Sequence, residues 1–237
     1  MRKLLLVIIS VVGLLSFTIV SARITSAVDE NGSIVVQTIP GPTVAEKLAS
    51  RAEASWPWYL TRASGIIAAL TLVILMLSGI GQVTGYTFHF LDPLTSWASH
   101  RALGIAFSVS VLVHMFSLLF DHFIKFNIVD ILVPWSSSYR PVTIFGMQLG
   151  SLYVALGVLS FYLVAFVTIS SLVWVEKKPY IWKWLHLLTY ITIFFVFIHA
   201  LYLGTDLTHG IVRLIWIILG AGVVLATLQR LWRVKTT

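Results

Sequence analysis

The sequence contains no cysteine. That absence excludes disulfides, iron–sulfur clusters, thiolate-ligated haem and covalent c-type haem attachment. Any redox cofactor must then be held by histidine, methionine or noncovalent contacts. Charge is also scarce. Asp, Glu, Lys and Arg make up only 11% of the 237 residues, whereas a soluble globular domain carries about 25%. Acidic residues are the rarer sign, nine against sixteen basic, for a net charge of +7. The basic residues do not cluster into a nucleic-acid footprint. They sit at the ends of apolar blocks, where spanning helices use Lys and Arg for orientation and snorkelling.

What is abundant is apolar sequence, at 58% of the chain. It falls in runs long enough to cross a bilayer core of about 30 Å, which takes roughly 20 helical residues. Backbone groups in lipid must be paired within the segment, so these runs predict helices. The expected fold is all-α: a polytopic membrane bundle of about six transmembrane helices, at 4–20, 62–85, 97–120, 148–174, 180–203 and 210–231. The first, after Arg2 and Lys3, reads as an N-terminal anchor or signal peptide over 1–22. Residues 23–57 are the most polar stretch, and 23–60 form an expected extracytoplasmic segment. Within it, 44–54 predicts a short amphipathic helix, and Trp56, Pro57 and Trp58 an interfacial start to the next span. Residues 61–232 form the main membrane domain, and 233–237 a cytoplasmic tail. Once the longer outer segment and the first two basic residues are set aside, Lys and Arg favour one side by seven to three. That asymmetry places both termini in the cytoplasm of a multi-pass cell-membrane protein.

Of seven histidines, His89, His122 and His209 fall in loops or at span ends. The other four fall inside two spans, His100 and His114 in the third, His186 and His199 in the fifth. Ionisable groups inside membrane helices are costly and mark functional sites. Fourteen residues separate the first two, about 21 Å along a helix, and thirteen the second two, about 20 Å. The third and fifth spans run parallel, so His100 should lie level with His186 and His114 with His199. Each level could present two imidazoles to one iron, which points to two stacked b-type haems. On a straight helix, fourteen residues return to within roughly 40° of one face, but thirteen leave about 140°. The fifth span should therefore bend, bulge or present its rings obliquely. Gly104, one turn after His100, and Ser110, one turn before His114, would let a flat macrocycle approach. Arg101, Arg140 and Lys125 are candidate partners for its propionates.

The spacing and several short motifs resemble the ferric-reductase-like transmembrane domain family, which includes NADPH oxidases and metalloreductases. The motifs are Thr61-Arg62-Ala63-Ser64-Gly65; His100-Arg101-Ala102-Leu103-Gly104; the outer stretch from Asp130 to Pro141; Trp184-Leu185-His186; and His199-Ala200-Leu201 followed by Gly204-Thr205-Asp206. The resemblance covers about residues 60–230. It implies electron flow from a cytoplasmic-side donor to ferric iron, oxygen or a partner protein outside, with the 121–147 loop (Asp121, His122, Asp130, Tyr139, Arg140) as roof and docking surface. Many members carry a cytosolic flavin and nicotinamide domain. Here the one glycine-rich stretch, Gly79 to Gly85, ends a membrane helix and does not link a strand to a helix, so the dinucleotide fingerprint fails in context. The implied oxidoreductase would need a separate flavin/NAD(P)H reductase or a quinol donor. Three alternatives share parts of this pattern. One is a haem subunit passing electrons from quinol or flavin to a periplasmic reductase, one a quinol-linked cytochrome b of another family, and one a non-redox transporter or assembly factor.

Overall fold

The computed structural model describes residues 22–28, 34–40, 43–144 and 147–236. It divides into two compact units, with the boundary between Trp56 and Pro57. In the first unit, β1 (Ala22–Val28) and β2 (Ile34–Pro40) pair as an antiparallel hairpin, Ala22 opposite Pro40 and Val28 opposite Ile34. This hairpin departs from the all-α expectation. Its strands are rich in Ile, Val and Thr, whose branched side chains suit a pleated backbone better than a helix. The expected first span lies outside the described residues.

Helix α1 (Val44–Thr84) is continuous and carries Pro57 inside it, so the short amphipathic helix and the second expected span are one element. After a 3₁₀ turn, α2 (Pro93–Leu118) starts at Asp92, whose carboxylate accepts from the Thr95 amide at 3.0 Å. The short α3 (Ile128–Leu132) sits in the loop that follows. A second hairpin, β3 (Val142–Ile144) with β4 (Met147–Leu149), precedes α4 (Leu152–Trp174). The helix starts four residues later than the apolar pattern suggested. Ser151 caps it by accepting from the Val154 amide at 3.2 Å, and the Ser151 amide donates to the Ser137 carbonyl at 2.8 Å.

The fifth expected span is interrupted. Helix α5 (Pro179–His186) ends at the first histidine, and α6 (Thr189–Leu203) begins three residues on. Between them Leu188 donates to Leu185, and Tyr190 to Leu187, three residues back. Such bonds wind the chain more tightly than an α-helix. Where the thirteen-residue spacing called for a bend, a bulge or oblique rings, the structure shows a break between two helices. Helix α7 (Gly210–Thr236) closes the chain.

Among the described residues, five helical segments are long and apolar enough to cross a membrane: α1, α2, α4, α5 with α6 as one run, and α7 through Trp232. That fits a multi-pass membrane protein in a lipid bilayer. The buried core of the second unit centres on Ala68, Leu72, Val73 and Met76 of α1, Phe107 of α2, Val164 of α4, and Trp216 and Val223 of α7.

Candidate functional site

The four histidines of the spans lie in two pairs. His114 of α2 and His199 of α6 have ring centres 6.4 Å apart with planes nearly perpendicular, at 88°. His100 of α2 and His186 of α5 have centres 6.2 Å apart, with planes at 57°. These are the pairs that the spacing suggests, separated by about 21 Å along α2.

Each imidazole is held from behind through Nδ1. In the outer pair, His114 Nδ1 donates to the Thr61 carbonyl at 2.9 Å and His199 Nδ1 to the Tyr153 carbonyl at 2.8 Å. Four residues beyond each carbonyl stands a glycine that makes room for the ring. A Cβ at Gly65 would lie 3.0 Å from His114 Nδ1, and one at Gly157 would lie 2.5 Å from His199 Cε1. In the inner pair the partners are hydroxyls. His100 Nδ1 lies 2.9 Å from Ser78 Oγ, and that hydroxyl donates to the Leu75 carbonyl at 3.0 Å, so it accepts from the ring. His186 Nδ1 lies 3.3 Å from Ser171 Oγ, and that hydroxyl accepts from Trp182 Nε1 at 3.0 Å. Gly79 backs His100, its added Cβ falling 3.3 Å from His100 Cε1. With Nδ1 engaged, a neutral imidazole keeps a lone pair on Nε2 for a metal.

Each pair opens on its own cavity. The outer one, of about 260 Å³, is lined by both outer histidines, both backing glycines, Met115 and Asp121. The inner one, of about 540 Å³, is lined by His100, His186, Gly79, Gly104, Trp97 and Trp182. Phe107 and Val164 line both cavities and separate them. Phe107 lies seven residues from each α2 histidine, and Val164 seven from both Gly157 and Ser171.

Cations stand at both cavities. At the outer one, Arg62 pairs with Asp206, Nε to Oδ2 at 2.9 Å, and its guanidinium lies 4.1 Å from the Trp58 ring centre. The pair ties α1 to the turn after α6. The inner cavity is lined by Arg101, Lys177 and Arg230. Arg230 also donates to the Tyr190 hydroxyl, and Arg101 lies 5.4 Å from the Trp97 ring centre. Of the residues expected from sequence, Arg101 and Gly104 thus join the inner cavity. Arg140 does not line the outer one. It donates to the Tyr202 carbonyl at 2.8 Å, near the end of α6. Ser110 and Lys125 line neither cavity. His89 and His122 are exposed outside the site. Sequence reasoning missed Arg62, Ser78, Ser171, Gly157 and Arg230. For Gly157 and Ser171 the available signal was the fourteen-residue repeat, since they and the α1 pair Gly65 and Gly79 keep the stride of His100 and His114; Arg62, Ser78 and Arg230 stand outside it.

Among the described residues, no three His, Cys, Asp or Glu side chains converge on one point. The arrangement is two facing pairs of imidazoles rather than a chelating cluster. Set against known proteins, the chain has no significant match to any family model, curated protein or solved structure.

Proposed function

We propose that this protein carries electrons across the cell membrane through two b-type haems, one held by His100 and His186 and the other by His114 and His199. The observation that carries the reading is the ring spacing. Two imidazoles bound on opposite sides of one metal, each nitrogen about 2.0 Å from it and each ring centre about 1.1 Å beyond the nitrogen, have centres roughly 6.2 Å apart. The two pairs stand at 6.2 and 6.4 Å. The residues present fit the group in other respects. The Nδ1 partners orient every ring, and three glycines leave the rings room. Two ligand atoms per site match an iron whose other four ligands come from a porphyrin.

Bound there, haem supplies a reversible one-electron centre with no open iron position under bis-histidine ligation. The chain's own part is to hold and screen. The Thr61 and Tyr153 carbonyls and the Ser78 hydroxyl fix the tautomers of His114, His199 and His100, and the Ser171 hydroxyl orients His186. Phe107 and Val164 exclude water between the two cavities. Arg62 on one side, and Arg101, Lys177 and Arg230 on the other, offer positive charge to propionates. With both termini cytoplasmic, as the Lys and Arg distribution favours, the His100/His186 pair faces a separate donor, a flavin reductase or a quinol. The His114/His199 pair then faces the acceptor: ferric iron, oxygen or a partner protein. The activity is that of an oxidoreductase working at the outer surface.

A dithionite-reduced spectrum with haem quantification tests this directly. Two haems per chain are expected in purified protein. His114→Ala should leave about one haem per chain and abolish transfer to the outer side, and His100→Ala should do the same from the other end. Colourless protein, or His114→Ala with its full haem complement, would overturn the reading.

A further inference from the structure

The loop between α2 and α4 has two faces. One face, with Ile124, Phe126, Ile131 and Tyr139, lines the outer cavity. The other exposes Phe123, Ile128, Val129, Leu132, Val133 and Trp135, between 37% and 67% open. An apolar face of that kind is covered by something in a native protein.

We infer that this face lies in the outer leaflet, covered by lipid acyl chains. Depth is the first argument. The Tyr162 hydroxyl donates to the Leu132 carbonyl at 2.6 Å. Tyr162 lies ten residues into α4, about 15 Å below its start at 1.5 Å per residue. Helical side chains lean toward the N-terminus, here the outer end, but by only about a turn. On the same helix, Gly157 marks the level of His199. The C-terminal end of α3 is thus near the level of the outer histidine pair, inside the span of α4, and not above it.

Backbone satisfaction is the second argument. Irregular chain at membrane depth needs its polar groups paired by protein, since lipid offers no partners. Asn127 accepts from the Val129 and Asp130 amides, and Asp130 accepts from the Asn127 amide. At the other end the Val133 amide and the Ser136 hydroxyl both use the Val129 carbonyl, Ser136 also reaches the Val133 carbonyl, and Tyr162 takes that of Leu132. The α4 residue that meets the loop, Tyr162, is itself half-exposed, and Phe166 and Ile169 farther along α4 are exposed and apolar as well. Lys125 and Asn127 at the N-terminal end suit the headgroup level. The consequence is a roof with lipid on its back, which keeps bulk water from the outer cavity.

The inference does not depend on haem. The chain has no cysteine, so Val129→Cys, Leu132→Cys, Val133→Cys and, as a water-facing control, His122→Cys can each carry a single bimane. In phosphatidylcholine vesicles, nitroxide on the acyl chains should quench bimane at 129, 132 and 133 several-fold more than aqueous iodide does, with the order reversed at 122. Equal iodide quenching at all four positions would place the face in water and overturn the inference. Protection of 132 and 133 from both quenchers would overturn it too, by showing that a partner protein or a second copy covers the face.

Discussion

The two histidine pairs share one stride of fourteen residues on α2, on α1 and on α4, yet they are anchored differently. At the outer pair, Nδ1 of each ring donates to a backbone carbonyl, and a glycine presses against each ring. The cavity is the smaller of the two. At the inner pair, Nδ1 meets a serine hydroxyl, only one glycine stands behind a ring, and the cavity is about twice as large with three cations on its wall. The outer site is therefore set by main chain and shape, which point substitutions reach only through steric change. The inner site is set by side chains that can be exchanged one at a time.

The sharpest way to break the outer pair is to fill its glycines. A Cβ at Gly157 would meet Cε1, Nδ1 and Nε2 of His199 at 2.5, 2.6 and 3.3 Å, and the ring cannot retreat without giving up the Tyr153 carbonyl. Gly157→Ala should therefore act much like loss of His199, leaving about one haem per chain. At Gly65 the added atom would lie 3.0 and 3.1 Å from His114, and at Gly79 3.3 Å from a single atom of His100. Haem content should accordingly fall in the order Gly157→Ala, Gly65→Ala, Gly79→Ala, with the last near wild type. Equal losses across the three would show that the outer pair is no more tightly built than the inner.

The hydrogen bonds behind the rings give a smaller effect that separates the pairs. Ser171→Ala removes the hydroxyl that meets His186 Nδ1 and accepts from Trp182 Nε1. Removing such a partner behind a metal-bound imidazole typically weakens metal affinity about 10–100-fold and makes the ligand less basic. The inner haem should be retained at high concentration, lost sooner on dilution, and titrate at a higher reduction potential, because a less basic ligand stabilises oxidised iron less. Ser78→Ala should do the same through His100. At the outer pair, Thr61→Ala and Tyr153→Phe leave the accepting carbonyls in place, so the outer potential should not move. A shift there equal to the Ser171→Ala shift would remove the distinction.

The two ring pairs were readable from residue order; the contrast between them was not, for a physical reason. Spacing within one helix is a local property, so the fourteen- and thirteen-residue intervals gave the ring pairs and the need for a bend, a bulge or oblique rings in the fifth span; the break between His186 and Thr189 is what the structure adds. What lies behind a ring depends on the neighbouring helix. Ser78 is 22 residues from His100, Thr61 is 53 from His114, and Arg62 is 144 from Asp206. No periodicity carries contacts of that range. Proline misled locally, since Pro57 suggested a helix boundary where α1 runs through. The β1–β2 hairpin lies in the most polar stretch, where polarity says nothing of pairing; its signal is the β-branched content of the two strands.

Gly104 gives the smallest effect and the cleanest control. It lines the inner cavity beside His100, yet an added Cβ there would meet nothing within 4 Å. Alanine in place of glycine also favours the helix, by up to about 1 kcal/mol in water-soluble hosts. Gly104→Ala should thus leave haem content and the inner potential unchanged while holding or slightly raising thermal stability. A larger side chain built on the same Cβ must project into the space that the cavity provides. Gly104→Trp should displace the inner haem and spare the outer, because Phe107 and Val164 stand between the two cavities. Difference spectra of the two variants, measured together, ask one question of the inner site. If Gly104→Trp keeps both haems, the open volume beside His100 is not where the macrocycle lies, and the inner pair must present its metal toward the opposite wall.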